Sequence, residues 1–146
     1  MKTPMMCLSI RQPWAWLIVH GHKPIENRTW ETQYKGPILI HAGKGMTQAE
    51  YQDARDFLND VRLPTLKLPA FGELERGGIV GTARLVGCVY RHDSPWFGGP
   101  VGWVLEDARP VPLVPCVGQL GLFMPPGPVV DLVMASGPSL TEGLTR

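Results

Sequence analysis

Charge is what this sequence has least of. Charged residues make up 18% of its 146 positions, and 14 Lys and Arg against 13 Asp and Glu leave a formal net charge of +1. A protein held on long duplexes by many phosphate contacts needs a large basic excess, so that mode is disfavoured. A nucleoside, a nucleotide or a short single strand remains compatible. Cysteine is scarce as well: Cys7, Cys88 and Cys116 lie far apart, are odd in number and form no Cys-x-x-Cys pair. That spacing suggests neither a disulfide framework nor a zinc site, and the thiols read as reduced and mostly buried. No apolar run approaches the ~20 residues that span a bilayer. The first residues, with one lysine and with Arg11 close behind, do not make a signal peptide. The expectation is a cytoplasmic protein with no membrane partner, no metal and no cofactor.

What the chain does have is turn residues: 17 Gly and 15 Pro imply short elements rather than long helices. The length suits one domain with a real core. Residues 5–10 read as a first strand. Pro13 suits the first position of a short helix over residues 14–20, which Gly21 stops. Residues 26–30 and 37–42 read as strands. Thr47 with Glu50 three residues on has the form of a capping box, and Ala54, Phe57, Leu58 and Val61 give the following helix an apolar face. Residues 62–77, with Pro64 and Pro69, read as an irregular loop containing at most one helical turn. Residues 78–90 are the longest strand, with Gly81 and Gly87 at positions that suit bulges. Residues 102–106 form another strand, residues 110–117 a proline-interrupted edge or connection, and residues 120–124 a closing strand. The order predicts an α+β fold: a small, mixed, mostly antiparallel barrel with about two flanking helices, spanning residues 1–126. Residues 127–146 are expected to be a flexible tail.

The densest chemistry lies at Gly21-His22-Lys23-Pro24-Ile25-Glu26-Asn27-Arg28-Thr29-Trp30. Glu26 and Arg28 are two apart, so an extended chain puts them on one face. A lysine, an acid and an arginine beside tryptophans suit a planar, polar ligand such as a nucleobase. Trp14, Trp16, Trp30 and Trp103 read first as core, though one can present its face to a base. Arg11 and Gln12 divide evenly between satisfying a helix start and touching ligand. His20 and His22 lack a third ligand at metal spacing. His41 reads as a satisfied structural histidine before a cleft residue. Gly43-Lys44-Gly45 lacks the P-loop pattern.

The run Ser9-Ile10-Arg11-Gln12-Pro13-Trp14-Ala15, continued by Gly21-x-Lys23-x-x-Glu26-x-Arg28, resembles the ASCH family. Gly78-Ile79-Val80-Gly81, Gly102-Trp103-Val104-Leu105 and Gly118-Gln119-Leu120-Gly121-Leu122-Phe123 fit the same pattern, so the likeness covers about residues 7–124. The first motif is the specific one, and it resembles the branch typified by the human endothelial-overexpressed, lipopolysaccharide-associated factor. The resemblance implies a PUA-like barrel and recognition of RNA or nucleotides. Some small bacterial members of this fold hydrolyse N4-acetylcytidine with a lysine, a threonine three residues later and a glutamate from a later strand. The lysine carries over to Lys23. The threonine position holds Glu26 here, and none of Glu73, Glu75, Asp93 or Glu106 can be matched to the later acid.

On this basis the leading expectation is a metal-independent amidohydrolase acting on N4-acylated cytosine nucleosides. Glu26 is the general base on water, Lys23 stabilises the oxyanion or the charge of Glu26, and Arg28 orients Glu26 or binds a carbonyl oxygen bidentately. Ser9, Arg11, Gln12, Trp14 and Trp103 are the candidate substrate contacts. Thr29 is a poor substitute nucleophile, since it faces away from Glu26. The expected partner is a modified cytidine nucleoside or a short RNA, with no obligate protein partner. The alternatives are an RNA-binding module without catalysis and a single-strand ribonuclease.

Overall fold

The computed structural model describes residues 5–61 and 66–136. Along the chain run β1 (Met6–Ile10), α1 (Trp14–Val19), β2 (Ile25–Arg28), β3 (Gly36–Ala42), α2 (Gln48–Asp60), a 3-10 turn at Phe71–Glu73, β4 (Gly78–Val89), β5 (Val101–Pro115), β6 (Leu122–Phe123) and α3 (Gly127–Ser136). The six strands form one sheet in the order β2-β5-β4-β3-β1-β6. Every pair is antiparallel except β1 with β3, which run parallel because the chain crosses over through α1 and β2 between them. The sheet curls into the expected mixed, PUA-like half-barrel.

Alternation along the central strands separates two cores. Leu8, Ile10, Ile38, Ile40 and Ala42 point to the face that α1 covers with Ala15, Ile18 and Val19. Cys7 and Leu39 point to the other face, where they meet Ile79, Val114, Phe123 and Val133. The helix α1 sits very close to the sheet. A Cβ on Gly81 would lie 2.3 Å from Val19 Cγ1 and 2.5 Å from the Arg109 carbonyl oxygen, so only glycine fits at that position. Pairing between β4 and β5 shifts register at Ile79/Gly81 and at Leu85/Gly87, where bulges were expected from the glycines. The capping box of Thr47 and Glu50 is formed in full.

Three expectations change. Pro13 is the N-cap of α1 rather than its first helical residue. Residues 102–106 and 110–115 are not separate pieces but one strand, β5. Its prolines lie beyond Val101–Val104, the stretch that pairs with β2. The tail expected from residue 127 begins instead with α3, a helix whose Val129, Val130 and Val133 pack on the second core. Spacing of i, i+1 and i+4 gives these valines one shared face. Residues 137–146 and 62–65 lie outside the described residues, and so does part of the expected loop over residues 62–77; its single helical turn is the one at Phe71–Glu73.

Candidate functional site

Lys23 owes its position to the way α1 ends. Gly21 takes φ +81°, a left-handed conformation natural for glycine, and the chain turns so that the backbone N–H groups of His22 and Lys23 both donate to the Leu17 carbonyl. β2 follows at once. Ile25 enters a small apolar cluster with Leu17, Leu58 and Trp96. Glu26 and Arg28 share a face of this strand, as their spacing predicts.

The three side chains form one ionic chain. Lys23 Nζ donates to Glu26 Oε1 at 3.0 Å and to the Ile25 carbonyl, and it lies 5.7 Å above the Trp14 ring centroid. Arg28 Nε stands 3.0 Å from Glu26 Oε2, an ionic contact without the alignment of a hydrogen bond. Arg28 also donates from a terminal nitrogen to the Ser9 carbonyl at 2.7 Å, tying β2 to the end of β1. Lys23 is 5% exposed and Glu26 8% exposed. Burial holds the Lys23 ammonium below its ordinary pKa; the attraction and hydrogen bond of Glu26 oppose that shift, and repulsion from Arg28 adds to it.

The Lys23–Glu26 pair faces a cavity of about 450 Å3 walled by Trp14, Phe57, Trp96 and Phe97. Trp14 meets Phe57 edge to face, and Phe57 lies 5.2 Å from Trp96. Asn27 builds the far wall. Its Nδ2 donates to the Trp96 carbonyl at 3.0 Å, and its Oδ1 accepts from Gly98 and Gly99 N–H at 2.8 and 3.1 Å. Asn27 therefore fixes the segment that carries Trp96 and Phe97. Sequence reasoning passed over it; the available signal was an amide inside a strand, flanked by two charged residues and followed much later by a Gly-Gly-Pro loop.

A second, larger cavity of about 570 Å3 opens at the ends of β1 and β3 and includes Ser9, Arg28, His41, Lys44 and Gly118 in its lining. Arg28 thus borders this cavity, while Glu26 borders the other. Among the sequence-derived candidates, Lys23, Glu26 and Trp14 share the aromatic cavity; Ser9 and Arg28 line the second. The other three are placed elsewhere. Arg11 is exposed and makes two 2.7 Å hydrogen bonds to Glu50, which the guanidinium, together with the Thr47 backbone N–H, holds at a pKa of about 2. Gln12 is buried between the Trp16 N–H and the Glu75 carbonyl, so it satisfies the backbone at a helix start. Trp103, expected at the ligand, is a core residue with 0% exposure; its Nε1 donates to the Trp30 carbonyl, and its ring meets Trp30 edge to face. Its alternation with buried strand positions decides that outcome. Among the described residues no three His, Cys, Asp or Glu side chains group as metal ligands, and no helix is long and apolar enough to cross a membrane.

A curled, mixed six-stranded sheet with α1 on one face is a PUA-like fold. A sequence model of the ASCH domain matches residues 8–98, and the chain belongs to that family. Over 84 residues it is 32% identical to activating signal cointegrator 1 of Mus musculus and 31% identical to its Homo sapiens counterpart. The aligned part is 57% of this chain but only 14% of those relatives. In fold the chain is similar to ASCH from Zymomonas mobilis. A mutant of that protein with a tyrosine replaced by phenylalanine superposes with a TM-score of 0.54 at 13% identity, over 91% of this chain and 98% of the other. The unsubstituted protein superposes with a TM-score of 0.52, also at 13% identity, over 90% of this chain and 94% of the other.

Proposed function

We propose that the aromatic cavity binds an N4-acylated cytosine nucleoside and that Glu26 and Lys23 hydrolyse its amide. The observation that carries this reading is a buried carboxylate, held between two cations, on the wall of an aromatic cavity of nucleobase size. A pyrimidine stacks between aromatic rings. A carboxylate has about four lone-pair sites, and Lys23 and Arg28 occupy two of them, which leaves capacity for a water. Water attacks the acyl carbon and gives a proton to Glu26. The tetrahedral oxyanion is stabilised by Lys23 Nζ. The C–N4 bond then breaks, and N4 takes the proton from Glu26, releasing the cytosine amine and a carboxylic acid. The lowered proton affinity of Lys23 makes it a good donor to that oxyanion. The buried ionic chain keeps both groups in place as the substrate displaces water.

Incubation of the purified protein with N4-acetylcytidine, without added metal, tests the reading by release of cytidine. Turnover lost in Lys23→Ala and Glu26→Gln supports it. Full turnover in both variants overturns the site. No turnover with acetyl or larger acyl groups, alongside salt-dependent binding of single-stranded RNA, favours the non-catalytic reading.

A further inference from the structure

The larger cavity holds an arrangement that the Lys23–Glu26 chemistry does not use. β1 and β3 are parallel and in a register that sets Ser9 beside His41. Both residues point to the face of Cys7 and Leu39 by strand alternation. Ser9 Oγ lies 2.9 Å from His41 Nδ1, and His41 Nε2 lies 2.7 Å from the Cys116 carbonyl oxygen. A carbonyl only accepts, so Nε2 carries the proton and Nδ1 is left as the acceptor. In that tautomer the Ser9 hydroxyl donates to an imidazole whose orientation is fixed by a second partner. His41 is 2% exposed, so that orientation is held by packing as well.

Three further features surround the pair. Arg28 fixes the backbone of Ser9 through its carbonyl. Gly118 lies directly over the two side chains: a Cβ there would sit 2.7 Å from His41 Cε1 and 3.1 Å from Ser9 Oγ. Glycine at this position keeps the approach to the hydroxyl open. Arg28 and Lys44 put two cations on the cavity wall, where an oxyanion or an anionic part of a ligand is favoured. The mouth is flanked by the exposed side chains of Val117 and Leu120.

We propose that Ser9 is an activated nucleophile and His41 its general base, forming a second site that takes a small carboxylic ester or amide. Ser9 Oγ attacks the carbonyl carbon as its proton passes to His41 Nδ1. The bond to the leaving alcohol or amine breaks, and that group takes the proton from Nδ1, leaving an acyl ester on Ser9. Water then attacks the ester, its proton passes to Nδ1, and Ser9 Oγ departs with it, releasing the acid. The Cys116 carbonyl stabilises the transient imidazolium at Nε2. Arg28 and Lys44 stabilise the oxyanion in both halves.

Reaction of the full chain with a fluorophosphonate probe reads this site directly, because an activated serine displaces fluoride and keeps the phosphonyl group. Peptide mass mapping is expected to place the adduct on Ser9. Ser9→Ala should abolish the adduct, and His41→Gln should slow labelling about 10²-fold. Gly118→Ala, whose methyl would press on both His41 and Ser9, should also slow labelling while the circular dichroism of the protein stays native. A folded wild-type protein with no adduct on Ser9, under conditions that label a reference serine hydrolase, overturns the proposal. So does equal labelling in wild type and His41→Gln. The readout is independent of N4-acetylcytidine turnover: a protein labelled at Ser9 but inert to that nucleoside keeps this site and loses only the amidohydrolase reading.

Discussion

The two cavities use different means to make a side chain reactive. In the aromatic one, a carboxylate and an ammonium are buried together, and charge is the organising force. In the glycine-lined one, a neutral hydroxyl–imidazole pair is oriented by a backbone carbonyl, and geometry is the organising force. Arg28 joins them, since it contacts Glu26 with Nε and the Ser9 carbonyl with a terminal nitrogen. An ionic site suffers most when one charge is removed, because the others remain buried without compensation. A neutral site suffers most when its space is filled.

The largest effect expected from this contrast is that of Glu26→Ala. It strands Lys23 and the Arg28 guanidinium and should cost about 3–5 kcal/mol in urea unfolding. Ser9→Ala should cost far less, so comparable losses in the two variants would break the distinction between a charged and a neutral site. Gly81→Ala comes next. The new methyl would push α1 off the sheet, at a cost of about 1–3 kcal/mol by the same measurement. Because α1 leads into Lys23 and follows Ser9, this change should impair N4-acetylcytidine turnover and Ser9 labelling alike.

Asn27→Ala sharpens the comparison from the other side. It leaves the Gly98 and Gly99 N–H groups and the Trp96 carbonyl without their partner, at about 1–3 kcal/mol. It should raise KM for N4-acetylcytidine while leaving the rate of Ser9 labelling unchanged. Equal loss at both sites would show that the cavities are one unit.

Two pH effects are smaller. The folded pKa of Lys23 is held below its ordinary 10.5 by burial. In the window between the folded and unfolded values the unfolded chain binds more protons, so stability from this group rises with pH there, as burial of the charge is relieved. Lys23→Met should flatten that alkaline slope in a pH series of unfolding measurements. Glu50 behaves oppositely. Its pKa of about 2 lies below the ordinary 4.5, so its contribution is present above 4.5 and lost as pH falls toward 2. Arg11→Gln should flatten this acid limb and leave both cavities intact, since neither Arg11 nor Glu50 lines them.

Patterning made much of the fold legible. The branched apolar run of β3, the capping box at Thr47, the glycine stop at Gly21 and the bulge glycines of β4 are all local signals, and each is met in the structure. The Lys23, Glu26 and Arg28 chain was legible too, because spacing of two on a strand fixes a shared face. What sequence could not show was partnership across the fold. Ser9 meets His41 at a separation of 32 residues, and Asn27 meets Trp96 at 69. Trp103 carried the same composition signal as Trp14, yet one is core and the other borders a cavity.

The amino-acid sequence by itself determined the short elements, the ionic triad of Lys23, Glu26 and Arg28, and the family to which the chain belongs, since these depend on interactions a few residues apart or on a continuous motif. Only the tertiary structure decided that Glu26 and Ser9 face different cavities, that Gly118 keeps one of them open, and that residues 127–136 fold onto the sheet. Those outcomes follow from strand register and from close packing between distant segments, which no local pattern encodes.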